Sequence, residues 1–336
     1  MMHKFPSIEQ FSNCIRTVKE RVRWQGKDAD GNPIYDDTVT LPKIRFRGTV
    51  KIHGTNAAIH FNRAIGEINY QSRERVLTLE QDNCGFMLHM KQHEELLWEM
   101  TEYLWDDGFI DELVVYGEWC GKGIQKGVAV NELDKMFVAF AIYQVGSGWV
   151  KMSSEEARDF RFEEARIFNI MDFPTWEITV DFAQPELVQN KLIAITEEVE
   201  RQCPVGKFFG VEGIGEGVVW TPIKNHTGAP PFKVKGEKHS VSKVKSLAPV
   251  DLEAIQNAQK FVEEVVTEAR LEQGLWWLEH EALKPIAPTS TGDFIRWVYN
   301  DIMKEEETRI VEAQIDPKKI GALVANAARP WFLKRL

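Results

Sequence analysis

The sequence is poor in everything that would staple a chain or hold it in a membrane. Its 336 residues include only four cysteines, Cys14, Cys84, Cys120 and Cys203, and no two of them form a Cys-x-x-Cys pair. Neither a disulfide scaffold nor a zinc ribbon is encoded. No run approaches the roughly 20 apolar residues of a membrane helix, and the opening MMHKFPSIEQF lacks the apolar core of a signal peptide. These absences lead to the expectation of free thiols, a cytoplasmic location and no membrane partner. An excess of positive charge is missing too: 41 basic against 51 acidic side chains give a net charge of -10. That excludes a chain that coats nucleic acid indiscriminately, while leaving room for a local basic groove. There is no repeat of fixed period and no low-complexity tract.

What is there is ordinary globular composition, 43% hydrophobic and 27% charged, in a chain long enough for about two domains. From Ile44 to Val50, IRFRGTV sets Ile44, Phe46 and Val50 on one face and Arg45, Arg47 and Thr49 on the other, the period of a half-buried strand. A turn at His53-Gly54 leads to a second strand pattern, Ala57 to Phe61. Further short β-like runs lie at Leu113 to Trp119, Met136 to Tyr143, Glu216 to Trp220 and Phe232 to Lys235, interleaved with helical patterns such as GFMLHMKQHEELLWEMTEYLW. The expected class is α+β: antiparallel sheets with flanking helices, followed by an all-α C-terminal domain. The polar segment SVSKVKSLAPV reads as a linker. The boundaries drawn are 1–240 for the first domain, 241–249 for the linker and 250–336 for the helical domain. Behind Asp251, a candidate N-cap, Ile255, Ala258, Val262, Val265 and Val266 fall at helical intervals, and further helices fit 292–304, 305–313 and the stretch after Asp316-Pro317. Residues 251–336 carry 11 basic and 15 acidic side chains, so this domain is not itself a basic binding surface.

The segment richest in chemistry is Thr49-Val50-Lys51-Ile52-His53-Gly54-Thr55-Asn56, a lysine at a strand end before a glycine that can turn the chain. Lysine is a nucleophile only when its ammonium sheds a proton, which desolvation or neighbouring positive charge favours. In Phe232-Lys233-Val234-Lys235 a strand puts both lysines on one face. Taken singly, each piece has a bland rival: Glu118 and Glu216 as solvated strand-end carboxylates, Phe140 as core, Lys233 and Lys235 as part of a basic tether.

The order of the pieces is more specific than any one of them. Lys51-x-x-Gly54, Ser72-Arg73, Tyr116-Gly117-Glu118, Phe137 to Phe140, Glu216 to Val219 and Lys233-Val234-Lys235 resemble the motif series of covalent nucleotidyltransferases, the polynucleotide ligases and capping enzymes. Lys51 to Asn56, Gly121-Lys122-Gly123-Ile124-Gln125-Lys126 and Ala328-Arg329-Pro330-Trp331 are similar to the bacteriophage RNA ligase 2 family, which includes kinetoplastid RNA-editing ligases. The resemblance implies an ATP-dependent RNA ligase using Mg2+, acting on nicked duplex RNA, and here expected to be a monomer. Lys51 would attack the α-phosphorus of ATP. Lys233 and Lys235 would contact the α-phosphate, Glu216 would sit near the metal, and Glu118 would accept hydrogen bonds from the ribose. Phe140 would stack on adenine, with Phe137 the fallback if the strand register differs. Arg73 would hold a phosphate, and His53 and Asn56 would act in later steps. Val50 and Ile52, flanking Lys51, complete the expected nucleotide-binding set. One departure stands out: the family's aspartate after the stacking aromatic is Ala141 here.

Two other signals are weaker. Gly117 to Gly123 is one residue short of a phosphate-binding P-loop and ends in Gly123 in place of Ser or Thr. His89 and His93 stand one helical turn apart, but HMKQH offers no third ligand, and a helix-surface pair is the simpler reading. The alternative functions are a capping-type guanylyltransferase, opposed by the helical C-terminus, and an inactive nick-binding protein.

Overall fold

The computed structural model describes residues 2–36, 39–105, 110–224, 228–239, 258–313 and 315–336. Its strands, in chain order, are β1 (Glu9–Gln10), β2 (Trp24–Lys27), β3 (Pro33–Tyr35), β4 (Lys43–Lys51), β5 (Thr55–Asn62), β6 (Glu67–Ser72), β7 (Glu112–Cys120), β8 (Met136–Gln144), β9 (Gly148–Val150), β10 (Ile167–Asn169), β11 (Thr175–Asp181), β12 (Gly217–Pro222) and β13 (Phe232–Lys235). The chain divides into two compact units. The first comprises Met1–Ser7, Thr49–Thr175 and Val199–Glu216, and the second Ile8–Gly48, Trp176–Glu198 and Gly217–Leu336.

The first unit is built on a sheet ordered β10-β8-β7-β5-β6, with β9 added to β8. Its centre is antiparallel: β5 pairs with β7 from Thr55 opposite Trp119 to Asn62 opposite Glu112. The run Leu113 to Trp119 is buried almost throughout because both faces of β7 are covered. The expected helix over 85–105 breaks into Phe86–Lys91, Glu94–Glu99 and a short turn at Glu102–Leu104. Each piece turns its own apolar residue inward: Phe86 and Met90, then Leu97, then Leu104.

The second unit holds a sheet ordered β1-β13-β12-β4-β11. Strand β4 alternates as its sequence requires, with Ile44, Phe46 and Val50 buried while Lys43 and Arg45 are exposed. Phe46, Trp220 and Phe232 meet over this sheet, with Phe46 and Phe232 centroids 5.1 Å apart. Each such ring contributes on the order of 2–3 kcal/mol by leaving water. Arg45 and Arg47, on the opposite face, both pair with Glu177. The helical part of this unit contains Ala258–Val265, Glu268–His280, Thr291–Glu305, Glu307–Glu312 and Pro317–Leu333. Phe261, Val265, Leu278, Phe294, Val298, Ile302 and Phe332 form its core. The continuous helical pattern expected from Asp251 onward is interrupted where the Thr267 hydroxyl accepts from the Arg270 amide and starts a new helix. Asp251, Ile255 and the linker at 241–249 lie outside the described residues. All four cysteines are free thiols. Among the described residues, no helix is long and apolar enough to cross a membrane.

Candidate active site

The site in the first unit is assembled by a strand end and a tight turn. Alternation along β4 sends Val50 into the core and leaves Lys51 on the other face. Ile52 is buried, which fixes the backbone just beyond the lysine. Gly54 then passes so close to β7 that a Cβ would lie 2.3 Å from the Trp119 carbonyl oxygen, so only glycine fits. That approach lets the Gly54 amide donate to Glu118 Oε1 at 3.1 Å. Two side chains brace the turn from the other direction: Gln125 Nε2 donates to the Gly54 carbonyl, and Asn131 Nδ2 donates to the His53 carbonyl.

Glu216 is 2% exposed, and its Oε2 accepts from Lys51 Nζ at 2.8 Å. The same oxygen lies 3.2 Å from His53 Nδ1. Glu118 stands opposite Asn56 on β5 and opposite Val138 on β8, so these three side chains share one sheet face. Desolvation, reinforced by the charge of Glu216, pushes the Glu118 carboxyl up to about 7 against the opposing pull of Lys51, the Gly54 amide and Arg73. A desolvated carboxylate beside a second one is a site that gains from an added cation. Hard oxygen donors of this kind suit Mg2+ or Mn2+.

Phe140, two residues beyond Val138, falls on the Glu118 face by plain alternation, and a bulge lies beside it. Tyr116 pairs with Ala141 and Gly117 with Ala139, leaving Phe140 as the extra residue of β8. It packs with Ala58, Val114 and Tyr116, and its ring centroid is 5.0 Å from that of Phe5. Phe137, the alternative ring, turns the other way, fully buried and 5.3 Å from Phe86. Arg73, exposed just after β6, places Nη2 3.5 Å from Ser7 Oγ.

Lys233 and Lys235 belong to the second unit. On β13 they alternate with buried Phe232 and Val234, as their sequence predicts. Lys233 is ion-paired with Glu305 of the helix Thr291–Glu305. Burial opposes ionisation of Glu305, yet Lys233 and Lys235 together hold its carboxyl well below the usual range.

The turn-bracing Gln125 and Asn131, the ring of Phe5 and the carboxylate of Glu305 have no role that sequence reasoning assigns. Gln125 lies inside a motif that the family resemblance marks, whereas nothing in the spacing of Phe5 or Glu305 points to Phe140 or Lys233. Gly117 to Cys120 are strand β7, which disposes of the P-loop. His89 and His93 are half-buried, not surface-exposed: His89 Nε2 lies 2.7 Å from the Ala165 carbonyl and His93 Nδ1 2.9 Å from the His89 carbonyl.

A lysine presented at a strand end, beside two carboxylates and a histidine, is an arrangement suited to covalent group transfer. The sequence profile described as RNA ligase matches residues 44–235, more than half of the chain. The chain belongs to the RNA ligase family. Among solved structures it is similar to a Naegleria gruberi RNA ligase with pyrophosphate, at 15% identity and a TM-score of 0.44, covering 70% of this chain and 56% of that one. A lysine-to-alanine variant of the same ligase with ATP and Mn matches at 15% identity and a TM-score of 0.45, covering 71% and 59%. This chain therefore spans less than two thirds of those ligases' length. No curated protein sequence matches the chain.

Proposed function

We propose that this protein is an ATP-dependent RNA ligase that seals 3′-hydroxyl and 5′-phosphate ends, with nicked duplex RNA as its substrate, and that it works as a monomer. The observation that carries the reading is the cluster of Lys51, Glu216, His53 and Glu118 within the family-matched region. The similar Naegleria ligase is a complex with ATP and Mn in one structure and with AMP and Mn in another.

Lys51 Nζ would attack the α-phosphorus of ATP, forming a P–N bond as the P–O bond to pyrophosphate breaks. The proton leaving Nζ has Glu216 Oε2 within hydrogen-bond reach. An RNA 5′-phosphate oxygen would then take the AMP, breaking the P–N bond, with His53 and Asn56 serving this step. Finally a 3′-hydroxyl would attack the RNA 5′-phosphorus and release AMP. Glu216 would sit near the divalent cation, Mg2+ in the cell, which offsets phosphate charge when bound. Phe140 would stack on the adenine, Glu118 would meet the ribose, and Val50 and Ile52 would line the nucleotide beside Lys51. Arg73, Lys233 and Lys235 would contact phosphates. Residues 1–240 would carry the nucleotide chemistry and 250–336 would position the RNA, since alignment of two ends supplies several kcal/mol.

The test is incubation with labelled ATP or labelled GTP and Mg2+, then with nicked RNA, read on a denaturing gel. Label from ATP that chases into RNA supports the ligase. Label from GTP alone supports a guanylyltransferase, and no label from either supports an inactive nick-binding protein.

A further inference from the structure

The fold gathers three metal-ligating side chains at a place that the ligase chemistry does not use. His3, His60 and Glu112 each present one donor atom, and these atoms all lie within 4.8 Å of one another. His60 sits in β5 with its ring buried, and Glu112 opens β7. Their separation in sequence hides them from any spacing rule, in contrast to His89 and His93, which have ligand spacing but point at backbone carbonyls.

We propose that His3, His60 and Glu112 bind one zinc ion, which fastens the N-terminal segment to the face of β5 and β7. Two imidazoles and one carboxylate form a donor set that suits zinc, with a fourth position left for water. Two of the three separations are near those required: Glu112 Oε2 is 2.7 Å from His60 Nε2 and 3.7 Å from His3 Nε2. Ligand atoms about 2 Å from a common ion stand roughly 3.3 Å apart in a tetrahedron, so each Glu112 separation needs about half an ångström of adjustment, and the His3 and His60 donors, within 4.8 Å of each other, would close by rotation of the partly exposed His3 side chain. His3 is held for the purpose before any ion arrives. Gln71 accepts from its amide through Oε1 and donates to its carbonyl through Nε2, and the Tyr116 hydroxyl donates to that same carbonyl. A ligand whose backbone is already fixed loses little freedom on binding.

The segment so fastened is the one that brings Phe5 against Phe140 and Tyr116 and Ser7 to Arg73. The zinc site therefore sets the position of Phe5, a neighbour of the proposed adenine-stacking ring. The metal site itself does not depend on the ligase reading, and its pair of imidazole donors distinguishes it from the carboxylate of Glu216 proposed beside the other cation.

The experiment uses the full chain, free of any affinity tag and stripped of metal, titrated with Zn2+ in the presence of millimolar Mg2+. Expected are one equivalent of bound zinc and a higher thermal midpoint. Co2+ in place of Zn2+ should give the visible absorption of a low-coordinate site. His3→Ala, on a peripheral segment whose loss leaves the sheet intact, and Glu112→Gln should each weaken zinc by on the order of a hundredfold. Both should also abolish the thermal shift. Zinc should slow limited proteolysis ahead of Ser7 in the wild type and leave the rate in His3→Ala unchanged. Zinc that fails to bind, that is displaced by Mg2+, or that binds both variants as tightly as the wild type would overturn the proposal.

Discussion

Two part-buried lysine–glutamate pairs, one in each unit, carry opposite balances of charge. In the first, Lys51 meets Glu216, and a second carboxylate, Glu118, is pushed up to about 7 by its surroundings. In the second, Glu305 meets Lys233 with Lys235 close enough to help hold its carboxyl well below the usual range. The first cluster has a carboxylate whose ionisation is opposed by burial, and the second has a carboxylate stabilised by two lysines. By elementary electrostatics the first gains from a cation and the second can exchange its carboxylate for the oxygens of a phosphate. The same two residue types thus form the setting of the proposed nucleophile in one place and a proposed phosphate clamp in the other.

The sharpest way to break this comparison is to remove each lysine. Lys51→Ala should leave no detectable covalent AMP, and Lys51→Arg none either, because guanidinium stays protonated. Lys233→Ala should still form the adduct, more slowly by about 10²–10³-fold, the effect of losing one electrostatic contact in a transition state. Equal losses in single-turnover assays would mean that the two lysines are not playing different parts.

Removing each carboxylate charge should separate the pairs in a different way. Glu216→Gln should slow adenylation strongly, since the cation and the Lys51 proton both lose their acceptor. Glu305→Gln should instead act on stability, lowering the unfolding free energy by about 1–3 kcal/mol because Lys233 loses a charged hydrogen-bond partner in a partly buried setting, while adenylation persists. A denaturant titration beside an adenylation time course decides the matter. If Glu305→Gln loses adenylation but keeps its stability, the second pair belongs to the chemistry in the same sense as the first.

His53→Ala gives a smaller, more selective effect: adenylate should still form, with transfer to RNA impaired. Adenylation lost as fully as in Lys51→Ala would place His53 in the first step.

The mildest expected effect is a pH dependence. With its carboxyl at about 7 in the fold and near the ordinary carboxylate value when unfolded, Glu118 binds more proton in the native state across the interval between. Stability from this group is full below that interval and is lost as pH rises through about 7. Thermal midpoints measured from pH 5 to pH 8 should therefore decline less in Glu118→Gln than in the wild type. An identical decline in both would show that Glu118 does not titrate in that window.

Much of the fold is legible in the amino-acid sequence. Period-two alternation assigns β4 and β13 the right faces, and the strand ends carrying Lys51 and Glu118 follow from the same pattern. Helix breaks are less legible, since apolar spacing runs on through Val266 while the Thr267 cap acts locally. Alternation puts Phe140 on the face of Val138 and Glu118, while the β8 bulge beside it is invisible in that pattern. The partners of Lys233 and Phe5 cannot be read at all. Glu305 is 72 residues from Lys233 in sequence, and such contacts are fixed by packing and not by local pattern.

The most direct test of the central claim is to incubate the full chain with ATP and Mg2+ and locate the adduct by mass spectrometry of intact protein and of its peptides. The account predicts one AMP per chain, attached through a P–N bond to the peptide bearing Lys51, and lost when pyrophosphate is added. An adduct on Lys233, Lys235 or any other residue, or none in a folded protein, would contradict it.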